Sequence, residues 1–157
     1  MTPIAFAEIL QQTTLGLAMR KAPESAVLGI QIAHVFGLIL LLTTLVLINL
    51  RLLGWGLREV PLRDLVRSTR KGLWLGLVLA IGSGSLLFLS APVHYAGNAA
   101  FVPKMALLAA ALVVQASLFA AVTRRAAPGP LLARSTALLS LTLWFGVGLA
   151  GRAIGFV

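Results

Sequence analysis

The sequence predicts an all-α membrane protein: a four-helix transmembrane bundle with an N-terminal interfacial amphipathic helix, and with the N-terminus and C-terminus outside. Three observations carry that expectation. First, 59% of the 157 residues are hydrophobic and only 11% are charged, where a soluble domain carries about 25% charged residues. With a mean hydropathy of +1.00, the chain is too apolar to be covered by water, and its first partner is the lipid bilayer. Second, the chain divides into four apolar runs, each near the ~20 residues that cross hydrocarbon. Third, the basic residues gather at the ends of those runs, as the positive-inside rule requires.

The elements follow in order, within a single integral membrane domain over 1–157. Residues 1–22 are mildly apolar but interrupted by Glu8, Gln11, Gln12, Thr13 and Thr14. They lack the basic start and small-residue cleavage site of a signal peptide. Phe6, Ile9, Leu10 and Leu17 share one helix side, which fits a helix lying in the interface. Pro23, Glu24 and Ser25 open the first span, 26–50, with turn and N-terminal helix residues. Its exit, Asn49 to Gly54, carries an arginine, Arg51, able to snorkel. The stretch to Gly72 holds Arg58, Arg63, Arg67, Arg70 and Lys71 against Glu59 and Asp64. Leu62, Leu65 and Val66 recur there at helical spacing, which predicts a short amphipathic helix on the anionic inner surface. The second span, 73–93, has Gly82-Ser83-Gly84-Ser85 at its middle. A loop from Pro92 to Pro103 carries His94, Tyr95 and Asn98. The third span, 103–122, begins at Lys104 and ends before Arg124-Arg125. Ala126 to Pro130 is a tight break, and the fourth span, 135–157, contains Arg152 and four glycines.

Nine of the 13 basic residues fall on one side if the N-terminus is outside, leaving Arg20, Lys21, Lys104 and Arg152 on the other. The net charge of +9 therefore orients the chain in a membrane, and no basic face is left for nucleic acid. The absence of cysteine excludes disulfides, thiolate metal sites and a thiol nucleophile.

In this orientation the polar residues inside the apolar runs collect in the outer half. His34 lies ~12 Å below the outer start of its span at 1.5 Å per residue. Lys104, Arg152, His94, Gln31 and Tyr95 belong to the same side. A histidine at that depth needs a polar partner or something to ligate. One chemistry that suits the set is a b-type haem in an electron-transfer subunit, since its iron takes imidazole and its propionates want cations. His34 is then an axial ligand and His94 a shallower candidate for the second. Lys104 and Arg152 would hold propionates, with Gln31 and Gly37 one turn to either side of His34 and Gly37, Gly82 and Gly84 leaving room for a flat ring. A second chemistry is copper binding or transport by His34 and His94 with Met105 as a soft ligand. Beside these stands a structural or assembly subunit without a cofactor. In it His34 hydrogen-bonds across helices, to Gln115 or Tyr95, the glycines are packing surfaces, and Lys104 and Arg152 snorkel. A quinone or lipid in the outer cleft stays open, as do a larger redox membrane complex and a homo-oligomer as partners. No paired carboxylates lie at depth, and no G-x-S-x-G, H-E-x-x-H or phosphate-binding glycine loop is present, so hydrolase and ATP-driven readings have no support.

The segments Ile30–Gly37 (IQIAHVFG), Asn49–Gly54 (NLRLLG), Ser83–Phe88, Asn98–Met105 (NAAFVPKM) and Leu143–Phe156 resemble, in this order, an uncharacterised family of bacterial four-span inner-membrane proteins. More distantly, the span-one histidine and the F-x-x-K opening of span three (Phe101, Lys104) are similar to the transmembrane domain of the copper-resistance protein CopD. The resemblance implies the fold, a bacterial inner-membrane location and attention to His34, Lys104 and Arg152, without supplying an activity. Two positions depart from it: Gln31 stands where the family often has an acid, and Asn49 where an aspartate is usual before L-R-L-L-G.

Overall fold

A computed structural model describes residues 2–125 and 128–156. Among them no strand occurs, and the helices run α1 Pro3–Gln11, α2 Thr14–Arg20, α3 Glu24–Leu53, α4 Leu62–Ser90, α5 Pro92–Gly97, α6 Phe101–Thr123 and α7 Pro130–Ala153. α3, α4, α6 and α7 are each long and apolar enough to cross a membrane. The protein is thus an all-α, multi-pass four-helix bundle, as the four apolar runs predict.

The N-terminal segment is two helices where one is predicted. Thr13 breaks it: its hydroxyl donates to the Leu10 carbonyl and accepts from Gly16 N–H at 3.1 Å, capping α2. Gly16 is required at this corner, because a Cβ there would stand 2.3 Å from the Leu10 carbonyl oxygen. α1 packs on α5 and α2 on α4, so the pair folds over the bundle near the α4–α5 turn. Ile4, Phe6, Ile9, Leu15 and Leu17 remain exposed, the apolar face an interfacial helix offers to lipid.

α3 has 30 residues, ~45 Å at 1.5 Å per residue, and ends at Gly54, whose φ of 76° is the left-handed conformation that glycine tolerates. Trp55 N–H closes this cap on the Leu50 carbonyl at 3.0 Å. Arg51 then donates to the Val60 carbonyl at 2.8 Å and Arg58 to the Gly54 carbonyl, which fold the inner loop back on the helix end. Beyond it, the inner-surface helix predicted around Leu62 and the span predicted over 73–93 form one continuous helix, α4. No proline interrupts Leu62–Ser90, and Leu62 and Leu65 are buried, so the basic turns continue directly into the span. Of the break predicted at 126–130, residues 126 and 127 lie outside the described set, as does 157 at the end of span four. α7 starts at Pro130, where the ring fits the first helical turn.

α3 and α4 pack closely along their length, and the sequence cause is a ladder of small residues. Gly72, Gly76, Ala80 and Gly84 recur every fourth position and so share one face of α4. A Cβ on Gly76 would meet Leu41 N at 2.6 Å, and one on Gly37 would meet Ala80 N at 2.6 Å. Backbones approach this closely only where side chains are missing, which is how helices associate in lipid. On the other side of α3, α7 contributes Ala133, Ala137, Ser140, Trp144 and Val147, alternating by four and three residues, all buried. This is the seam spacing of antiparallel bundles. α6 packs on α7, and Phe119, Val122 and Ala111 join Leu41, Leu45, Ile48 and Leu52 of α3 in one core.

Candidate functional site

His34 lies on the α3 stripe that includes Gly37, Leu41 and Thr44, at its outer end. The stripe faces α4, and there the ring meets Ser83: His34 Nδ1 and Ser83 Oγ are 3.0 Å apart. The Ser83 hydroxyl proton is already committed to the Leu79 carbonyl one turn back. A hydroxyl has one proton and two lone pairs, so Ser83 accepts from the imidazole, and Nδ1 carries the ring proton. In that tautomer Nε2 bears the lone pair, and the Ala80 backbone is a further hydrogen-bond partner of the imidazole. Gly84 supports the same ring from below, since a Cβ there would stand 3.0 Å from His34 Cε1. The side chain is half-buried and held against α4 through Nδ1.

The other predicted residues divide around it. Lys104, at the first turns of α6, is half-buried and lies within electrostatic reach of His34. Its chain crosses α7 at Gly151, where a Cβ would stand 3.4 Å from Lys104 Cε. Arg152 is exposed, with its guanidinium 4.2 Å above the Phe156 ring, a cation–π contact at the end of its own helix. His94 is exposed on α5, and its ring stands edge-on to Tyr95 at 5.7 Å between centroids. Tyr95 belongs in turn to an aromatic cluster with Phe88 and Phe101, the latter two stacked at 5.2 Å. Gln31 is exposed, and Met105 is 44% exposed. Gly37 is buried under α4 and Gly84 under the His34 ring, so neither opens onto a cleft, while Gly82 has nothing within 4 Å. Among the described residues no group of three or more His, Cys, Asp or Glu is assembled in the manner of a metal site.

The sequence reading looked to Gln115 or Tyr95 as the hydrogen-bond partner of His34, and the structure puts Ser83 there. Gln115 instead receives the Trp144 indole N–H at 3.4 Å, from the first residue of a π-helical turn, Gln115–Phe119, inside α6. Such a turn has no residue signature that spacing reveals. Asn49 donates to Ser140 Oγ at 3.3 Å, fully buried between α3 and α7, with its Oδ1 unpartnered among the described residues, a pairing that neither residue's place in the sequence signals. At the outer rim, Asn98 Nδ2 donates to the Ile154 carbonyl at 3.1 Å while its Oδ1 accepts from Ala100 N–H. This pins the α5–α6 turn to the end of α7.

The model of a family described as "Family of unknown function (DUF6644)" matches residues 13–157. No curated protein and no solved structure matches the chain.

Proposed function

The chain belongs to the DUF6644 family of unknown function, and from that premise we propose that it is a b-type haem-binding membrane subunit for electron transfer, with His34 as the ligand from this chain. The observation that carries the reading is the His34–Ser83 bond. Histidines that ligate metals characteristically give the other ring N–H to a fixed acceptor, which sets the tautomer and raises ligand basicity. Lys104 is the cation suited to a propionate, being flexible, half-buried and near the ring. Haem would supply a one-electron carrier, and the chain's own work is to orient the ligand and shield one face with α4. His94 does not fit as the opposite ligand, since it turns to Tyr95 on an exposed helix. Gly37 and Gly84 likewise serve the helix seam, so the ring has to lie on the open side of His34 rather than between α3 and α4. Any further ligand would come from a second copy, a larger redox partner or a small molecule. We place the protein in a bacterial inner membrane, with the site toward the outer face, in line with the charge bias and the distant likeness to CopD.

A second reading rests on the same seam. The close glycine contacts of α3 with α4 favour a structural or assembly subunit in which His34–Ser83 is only an interhelical pin. The haem content of protein purified from haem-replete cells, measured as the pyridine haemochrome, separates the two. Stoichiometric haem supports the first, and protein free of haem after reconstitution overturns it.

A further inference from the structure

The inner end of the bundle holds a feature that neither reading uses. Arg63, Arg67 and Arg70 stand four and three residues apart, on one face of α4. Together with Val66 they form one side of a shallow, open hollow of about 280 Å³, bounded on the other side by Thr123 and Arg124 at the end of α6. A second hollow, about 440 Å³, continues along α4 from Arg70 and Lys71 to Trp74, Leu75 and Val78. Arg70 belongs to both. No Asp or Glu lines either one, so the guanidinium groups have no carboxylate to neutralise them in the hollows. Trp74 and Leu75 are 57% and 55% exposed and stand one turn nearer the bilayer centre than the arginines. The arrangement is amphipathic in the sense of a lipid: cations converge at the surface, and an apolar wall with an interfacial tryptophan descends from them.

We propose that this surface, which starts between α4 and the end of α6 and continues along the exposed face of α4, binds an anionic phospholipid whose headgroup carries two phosphates, of the cardiolipin class. Arginine matches phosphate through paired N–H donors, and basic pockets between spans on the inner side suit such headgroups. Two phosphates are called for because the cations form two sets joined by Arg70. Arg63, Arg67 and Arg124 make one and Arg70 with Lys71 the other, with Arg63 and Arg70 ~10 Å apart along the helix axis. The acyl chains lie against Trp74, Leu75 and Val78. Arginines that merely snorkel would bind any anionic lipid in proportion to its charge and would have no use for the apolar wall.

The test is native mass spectrometry of the full chain in neutral detergent, titrated with cardiolipin, phosphatidylglycerol or phosphatidylcholine. The groove pair Arg67→Gln with Arg124→Gln is expected to weaken cardiolipin binding by about tenfold or more. The pair Arg20→Gln with Lys21→Gln, which removes equal charge at the opposite end, should change it by less than about twofold. Trp74→Ala keeps every charge and should still weaken cardiolipin severalfold. Equal losses in both charge pairs, phosphatidylglycerol bound as tightly as cardiolipin, displacement of the lipid by millimolar inorganic pyrophosphate, or an unaffected Trp74→Ala would each overturn the proposal. The outcome is independent of haem, since the groove lies at the other end of the bundle from His34.

Discussion

The imidazole of His34 and the hydroxyl of Ser83 meet at 3.0 Å across the α3–α4 seam, and Ser83 donates its own hydrogen bond to the Leu79 carbonyl. The chain of donors therefore runs one way, from ring to hydroxyl to backbone, and it sets the tautomer of His34. Ser83→Ala removes the acceptor without disturbing the helix. The expected result is a small stability loss, about 1 kcal/mol or less for an interhelical hydrogen bond in lipid, together with haem affinity lowered about 10- to 100-fold as for lost outer-shell partners of a ligand. Ser83→Thr should keep both. Thermal melts and haem titration of the two variants check this, and a Ser83→Ala protein with unaltered haem affinity would remove the orienting role.

The glycine ladder makes a sharper prediction about stability. Gly76→Ala places a methyl 2.6 Å from Leu41 N, so α3 and α4 must separate. About 1–3 kcal/mol of destabilisation is expected from such overpacking. Gly82→Ala, where nothing lies within 4 Å, should stay within about 0.5 kcal/mol of the parent. Denaturant titration in mixed micelles distinguishes the pair, and equal effects at the two sites would refute the packing described.

Asn49 and Ser140 form a buried pair with 0% and 1% exposure. Ser140→Ala leaves the Asn49 amide N–H without its acceptor in a dry core, which costs about 1–3 kcal/mol. Asn49→Leu in the same background should recover much of that loss, because no orphaned polar group then remains. A double-mutant cycle on unfolding free energies reads the coupling, and strict additivity would mean that the pair does not interact.

The sequence made the spans legible because hydropathy and length are properties of runs, and Pro23, Gly54 and Pro130 mark real helix ends. It made His34 legible because an imidazole at that depth is expensive. Rotation about the helix axis was not legible: Gly82, Ser83 and Gly84 are adjacent in the chain, yet each residue turns ~100° from the last, so Ser83 and Gly84 face His34 while Gly82 faces outward. The four-residue recurrence Gly72, Gly76, Ala80, Gly84 was the signal that would have aligned α4 against α3. Lys104, His34 and His94 were matched by depth alone, and depth does not reveal that His94 sits exposed on a helix of its own. The continuity of α4 through Lys71 was hidden by a change in composition that the backbone ignores.

The most direct test of the account is the visible spectrum of His34→Gly protein with and without added imidazole. The account predicts a Soret band in the parent with sharpened α and β bands on reduction, their loss in the variant, and their return when free imidazole fills the vacated space beside Ser83. A parent protein without the band, or a variant that keeps it unaltered, would contradict ligation by His34.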